Sequence, residues 1–170
     1  MDTSSTVVFG IVIPSANPIF LSVVGAHVLL GLGCVLSGLA AMLATKERGY
    51  HSTFGTMYYW FMIGVFLTMT TLAFMRWSED YALFVLGVMA FALVTVGRFA
   101  RSYGLNLRVH ATSMASSYIV VLTAFYVDNG KNLPLWRDLP AASYWLVPVT
   151  VGASILLWVF ARHPLLQKRS

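Results

Sequence analysis

Five long apolar stretches organise this chain: Pro18 to Ala44, Phe54 to Met75, Tyr81 to Phe99, Ala111 to Val127 and Tyr144 to Ala161. Apolar residues occupy every side of them instead of alternating with polar ones, so the period of a half-buried strand or a lipid-facing barrel is missing. Such segments are expected to be helices crossing a bilayer. About 20 apolar residues cover a hydrocarbon core of about 30 Å, and a helix satisfies its own backbone there. The fourth stretch is the shortest and carries Thr112, Ser113, Ser116 and Ser117, so it is expected to be shielded by the other helices. Asn17-Pro18 suits a helix start, with proline in the first turn. Ahead of it, Val7 to Pro14 is too short to span and reads as a lead-in at the membrane surface. Met1 to Ser15 has neither the positive region nor the cleavage site of a secretory signal. With no long linker and no detectable internal repeat, residues 1–170 are expected to form a single transmembrane domain of all-α class.

Composition sharpens this picture by exclusion. The chain is 58% hydrophobic and 10% charged, with a mean hydropathy of +0.76, whereas soluble domains carry about 25% charged residues. A soluble globular protein and a disordered tail are excluded. The single cysteine, Cys34, lies in an apolar run, so a disulfide scaffold is excluded as well.

The placement of charge supplies an orientation. Lys46, Arg48, Arg98, Arg101, Arg108, Arg162, Lys168 and Arg169 fall on one side of a five-span arrangement, and Arg76, Lys131 and Arg137 on the other. Cytoplasmic loops are enriched in Lys and Arg. The amino terminus is therefore expected outside and the carboxyl terminus in the cytoplasm, which requires an odd number of spans. The net charge of +5 needs no nucleic acid to explain it, because the anionic cytoplasmic leaflet attracts such residues. Tyr58, Tyr59, Trp60, Trp77, Tyr81, Trp136, Tyr144 and Trp145 lie at or near predicted helix ends, as interfacial aromatic rings do.

Three histidines are not explained by topology. His27 lies about 13 Å along the first span from Pro18, and an ionisable group at that depth is a functional-site candidate. It shares a face with Gly31, Cys34 and Gly38, a groove of small residues that admits a close helix or a flat cofactor. His51 and His110 enter the second and fourth spans from the same side, at similar depth, where two helices can bring their rings together. Paired imidazoles in a helical bundle can hold a haem iron, with Met114, one turn after His110, as an alternative axial ligand. They equally suit a transition metal. Arg48 and Arg108 precede the two histidines and are placed to neutralise haem propionates. The alternative is that His51 and His110 cap helix ends among solvated arginines. His163, before Pro164 in a basic tail, reads as a surface residue.

Other constellations carry less. Arg76, Glu79 and Asp80, with Asp128, Lys131, Arg137 and Asp138, are placed to form an ion-paired lid on the outer side. No acid lies deep in a span, which argues against a pump relying on buried carboxylates. The sequence has no Gly-rich phosphate loop, His-Glu-x-x-His or nucleophile elbow, so soluble-enzyme chemistry has no foothold, independent catalytic activity is not expected and no catalytic residue is assigned.

His27 in a Gly-rich first span, Lys46 to His51 followed by Gly55 and Tyr58, Arg98, and His110 leading Met114, Ser117 and Tyr118 form a pattern. Together with Ser117 to Trp136 (SYIVVLTAFYVDNGKNLPLW) and a last span begun by Tyr144, Trp145 and Pro148, it resembles the bacterial membrane proteins grouped as domain of unknown function 2306. The resemblance covers about Pro18 to Pro164. It implies a polytopic inner-membrane protein with histidines among its defining positions, and it supplies no substrate, partner or cofactor.

Two classes of function stand. In one, the chain is a small membrane protein whose His51 and His110 bind b-type haem or a transition metal for electron transfer or sensing, with His27 as a second site or a hydrogen-bond partner for a quinone. In the other, it is a non-catalytic structural or accessory subunit associating with other membrane subunits. A third class, a small transporter, needs a path lined by His27, Ser116, Ser117 and Thr123. Beyond the lipid bilayer, no partner is identified.

Overall fold

A computed structural model describes residues 6–8, 11–13, 17–45, 49–104 and 106–162. The five apolar stretches are five helices, the first one residue shorter than its stretch and the other four extended at one or both ends: α1 (Pro18–Leu43), α2 (Tyr50–Met75), α3 (Trp77–Ser102), α4 (Leu107–Asn129) and α5 (Ala142–Arg162). The lead-in contains a small antiparallel hairpin of β1 (Thr6–Val8) and β2 (Ile11–Ile13), with Val7 opposite Val12.

Local chemistry sets the boundaries. Asn17 caps α1, its side chain accepting from Ile19 N at 2.9 Å with Pro18 in the first turn. Asn106 does the same for α4, accepting from Arg108 N at 2.8 Å. Only Arg76 separates α2 from α3; its N–H bonds to Leu72 and Ala73 carbonyls close one helix, and its side chain ion-pairs with Glu79 and Asp80 in the first turn of the next. Gly104 follows α3 with a φ of +66°, the left-handed conformation that glycine adopts without strain.

Helices α1 and α2, α2 and α3, and α3 and α4 pack as successive neighbours, and α4 returns to α1. This ring places α2 and α4 across from one another. Its centre holds Cys34, Tyr58, Met62, Leu86, Ala90, Val94 and Val120. Helix α5 packs chiefly on α4 and has no buried residue; Tyr144 lies over Gly130 and Ile119 over Gly152.

Four helices, α1, α2, α3 and α5, are long and apolar enough to cross a membrane. Outward-facing residues such as Leu29, Leu43, Leu157 and Trp158 are well exposed, as a lipid-facing surface requires. Helix α4 falls short of that standard because of its polar residues. Ser113, Ser117 and Thr123 turn inward and are buried, whereas Thr112 is exposed and Ser116 half-buried, so the shielding expected of the fourth stretch holds for only part of its polar residues. Along the helices many hydroxyls bond a carbonyl three or four residues back, as Thr68, Ser37 and Thr123 do, which satisfies them without water; the buried Thr95 hydroxyl has no such partner among the described residues.

Candidate functional site

His51 and His110 meet. Their ring centroids are 6.4 Å apart and the planes are nearly perpendicular, at 83°. Each lies in the first turn of its helix, at the end of the bundle where α1 and α3 terminate. His51 Nδ1 bonds the Ala41 carbonyl near the end of α1, and His110 Nδ1 bonds the Gly97 carbonyl near the end of α3, both at 2.7 Å. A carbonyl only accepts, so each Nδ1 carries the proton. In the neutral ring the lone pair then resides on Nε2, the arrangement common to metal-ligating histidines whose other nitrogen is held by a backbone acceptor. The two helix hairpins thus present imidazole in equivalent ways. Seven residues further along each helix, the Tyr58 hydroxyl meets Ser117 Oγ at 2.9 Å. Ser117 commits its own proton to the Met114 carbonyl, so Tyr58 is the donor.

The surrounding predicted residues divide. Met114 packs in the seam between α3 and α4, where a Cβ added to Gly97 would lie 2.8 Å from its Cγ and 2.9 Å from its Sδ. The same glycine therefore admits Met114 and presents its carbonyl to His110. Arg108 is half-buried in the first turn of α4. Arg48 and His163 lie outside the described residues. Among the described residues, no three His, Cys, Asp or Glu side chains gather as a metal cluster.

His27 is not part of this pair. It stands toward the other end of the bundle, its Nδ1 2.8 Å from Thr68 Oγ1. Thr68 donates its hydroxyl proton to the Gly64 and Val65 carbonyls, so it accepts from His27. Asp128 lies within electrostatic reach of both His27 and Asp80.

Two expectations are corrected here, and of the two occupants expected for the small-residue face, a close helix or a flat cofactor, neighbouring helices take the Gly38 end. The face of small residues after His27 is not an open groove along its length. Tyr118 and Tyr58 fill the space at Gly38, where an added Cβ would lie 2.7 Å and 3.0 Å from their rings, while nothing stands near Gly31. Tyr58, placed by its sequence position with interfacial aromatics, is 2% exposed. The acidic and basic residues of the outer end do not join into one lid either. Among the described residues, Arg76 pairs with Glu79 and Asp80, and Arg137 with its neighbour Asp138.

No protein-family model, curated protein or solved structure matches the chain.

Two features escaped the sequence reading. Thr68 is indistinguishable by sequence from Thr70 and Thr71, which bond only their own helix. Arg98, counted with the basic edge, turns onto α2, with its guanidinium 4.9 Å from the Tyr59 centroid. Its place inside the stretch Tyr81 to Phe99 was the available signal.

Proposed function

We infer that this chain is a small integral membrane protein in which His51 and His110 act as paired imidazole ligands to b-type haem or a single transition-metal ion, serving electron transfer or sensing. The convergence of the two rings, each oriented by a backbone carbonyl, carries this reading. The neutral rings would offer two Nε2 lone pairs to a haem iron or a single transition-metal ion, and the bound group would supply one-electron redox chemistry. With haem bound, Arg108 and Arg48 are the assigned propionate partners, and His27 the group available to a quinone. The reading includes five spans in a bacterial inner membrane, with α4 as the shielded fifth and the amino terminus outside. It also includes membership of the domain of unknown function 2306 group, on the residue pattern alone.

A second reading rests on the same hydrogen bonds. Imidazoles that tie the start of one helix to the end of another also act as staples. The protein is then an accessory subunit whose α5, with no buried residue, faces other subunits.

Absorption spectroscopy and elemental analysis of the purified protein separate the two. The first reading expects a Soret band on haem addition, or bound metal near one equivalent, lost in both His51→Ala and His110→Ala while helicity is retained. A colourless, metal-free protein that gives no Soret band with added haem overturns it.

A further inference from the structure

Arg98 is a cation set inside the bundle edge, and among the described residues no acid pairs with it. It lies four residues before the end of α3, about 6 Å inside the helix terminus, in a helix long and apolar enough to span. Arginines at such depth commonly extend outward to the headgroups. Arg98 instead turns sideways onto α2, stacking over Tyr59 and donating from Nη1 to Thr56 Oγ1 at 3.4 Å. Those two residues stand about 9 to 14 Å from the start of α2, so the guanidinium is drawn toward apolar depth. Among the described residues, ion pairs join Arg76 to Glu79 and Asp80, and Arg137 to Asp138. Asp80 is about 27 Å away along α3. A guanidinium has five N–H donors in a planar fork suited to phosphate, and a single long bond to Thr56 leaves most of them for a ligand.

Thr56 also forms the rim of a groove of about 350 Å³ whose other walls are Leu30, Met57, Trp60 and Phe61. It is apolar and faces outward, with Trp60 63% exposed. From Thr56 it runs toward the middle of α2 and away from the helix terminus. The site therefore has a cation at its terminal end and an apolar trough leading to the membrane centre. This is the polarity of a lipid, head outward and chain inward.

We propose that Arg98 and this groove hold one anionic glycerophospholipid, with its phosphate on the guanidinium and an acyl chain along Met57, Trp60 and Phe61. An anionic lipid is favoured over a zwitterionic one because, among the described residues, no acidic side chain pairs with Arg98 to receive a choline head. The inference is independent of the histidine pair.

Native mass spectrometry of the full chain, released from detergent with equimolar phosphatidylglycerol and phosphatidylcholine, tests it. Wild type is expected to retain phosphatidylglycerol over phosphatidylcholine by about fivefold or more, the preference one basic residue gives near an anionic lipid. Arg98→Gln brings the ratio close to one, whereas Arg101→Gln, altering an exposed arginine one turn on, leaves it unchanged. Met57→Trp, which fills the groove and keeps the charge, lowers retention of both lipids. Equal retention by wild type overturns the proposal, as does a preference that survives Arg98→Gln. If Arg98→Gln fails to fold, the wild-type ratio and Met57→Trp decide: undiminished retention in Met57→Trp overturns the groove.

Discussion

Each histidine in the described bundle is bound through Nδ1, but to different kinds of acceptor. His51 and His110 reach carbonyls of neighbouring helices, while His27 reaches the side chain of Thr68. The His27–Thr68 bond spans two helices in an apolar setting, where such contacts average about 0.6 kcal/mol and reach about 1.7 kcal/mol. A double-mutant cycle of His27→Ala and Thr68→Val, read by unfolding in mixed micelles, is expected to return a coupling in that range. A coupling near zero would show that the two side chains do not act as a pair. His27 is legible from the sequence because an ionisable residue at that depth is costly. Thr68 is not, since its hydroxyl is satisfied by its own helix and only the packing of α1 on α2 makes it an acceptor.

At the scale of the helices, glycines set how closely neighbours approach, and what they meet decides their worth. A side chain at Gly97 would press on the Met114 side chain and also on its backbone N at 3.2 Å, which cannot rotate away. At Gly152 the obstacle is the side chain of Ile119, and α5 contributes nothing buried. Gly97→Val is therefore expected to destabilise by about 1–3 kcal/mol, the usual range for overpacking, and Gly152→Val by clearly less. Thermal unfolding in detergent compares them. Gly97→Val should also displace the carbonyl that orients His110, so the proposed haem or metal binding is expected to fall with it and to be retained in Gly152→Val. Equal losses in both variants would contradict this ranking. The sequence marks small-residue faces without saying which are occupied: Gly31 and Gly38 look alike in the chain, yet only Gly38 receives two tyrosine rings.

For the whole molecule, the arrangement places Arg101 and Lys131 at opposite ends of the bundle, both exposed. Single cysteines there are expected to react with an impermeant maleimide from opposite sides of the membrane. Native Cys34, fully buried, stays silent as an internal control. Labelling from one side would refute the five-span arrangement. The helix count and the capping of α1 by Asn17 were legible in the chain, because backbone satisfaction in lipid and local capping depend on stretches of neighbouring residues. The short hairpin was not, as its pairing lies in a segment too brief for a distinct pattern. Sequence alone determined that this protein consists of apolar helices and that its histidines stand out from them. Tertiary structure decided which groups meet: His51 with His110 across the ring, His27 with Thr68, and Arg98 with Tyr59. Those meetings depend on the rotation and pairing of whole helices, which residues far apart in the chain set together and no local pattern specifies.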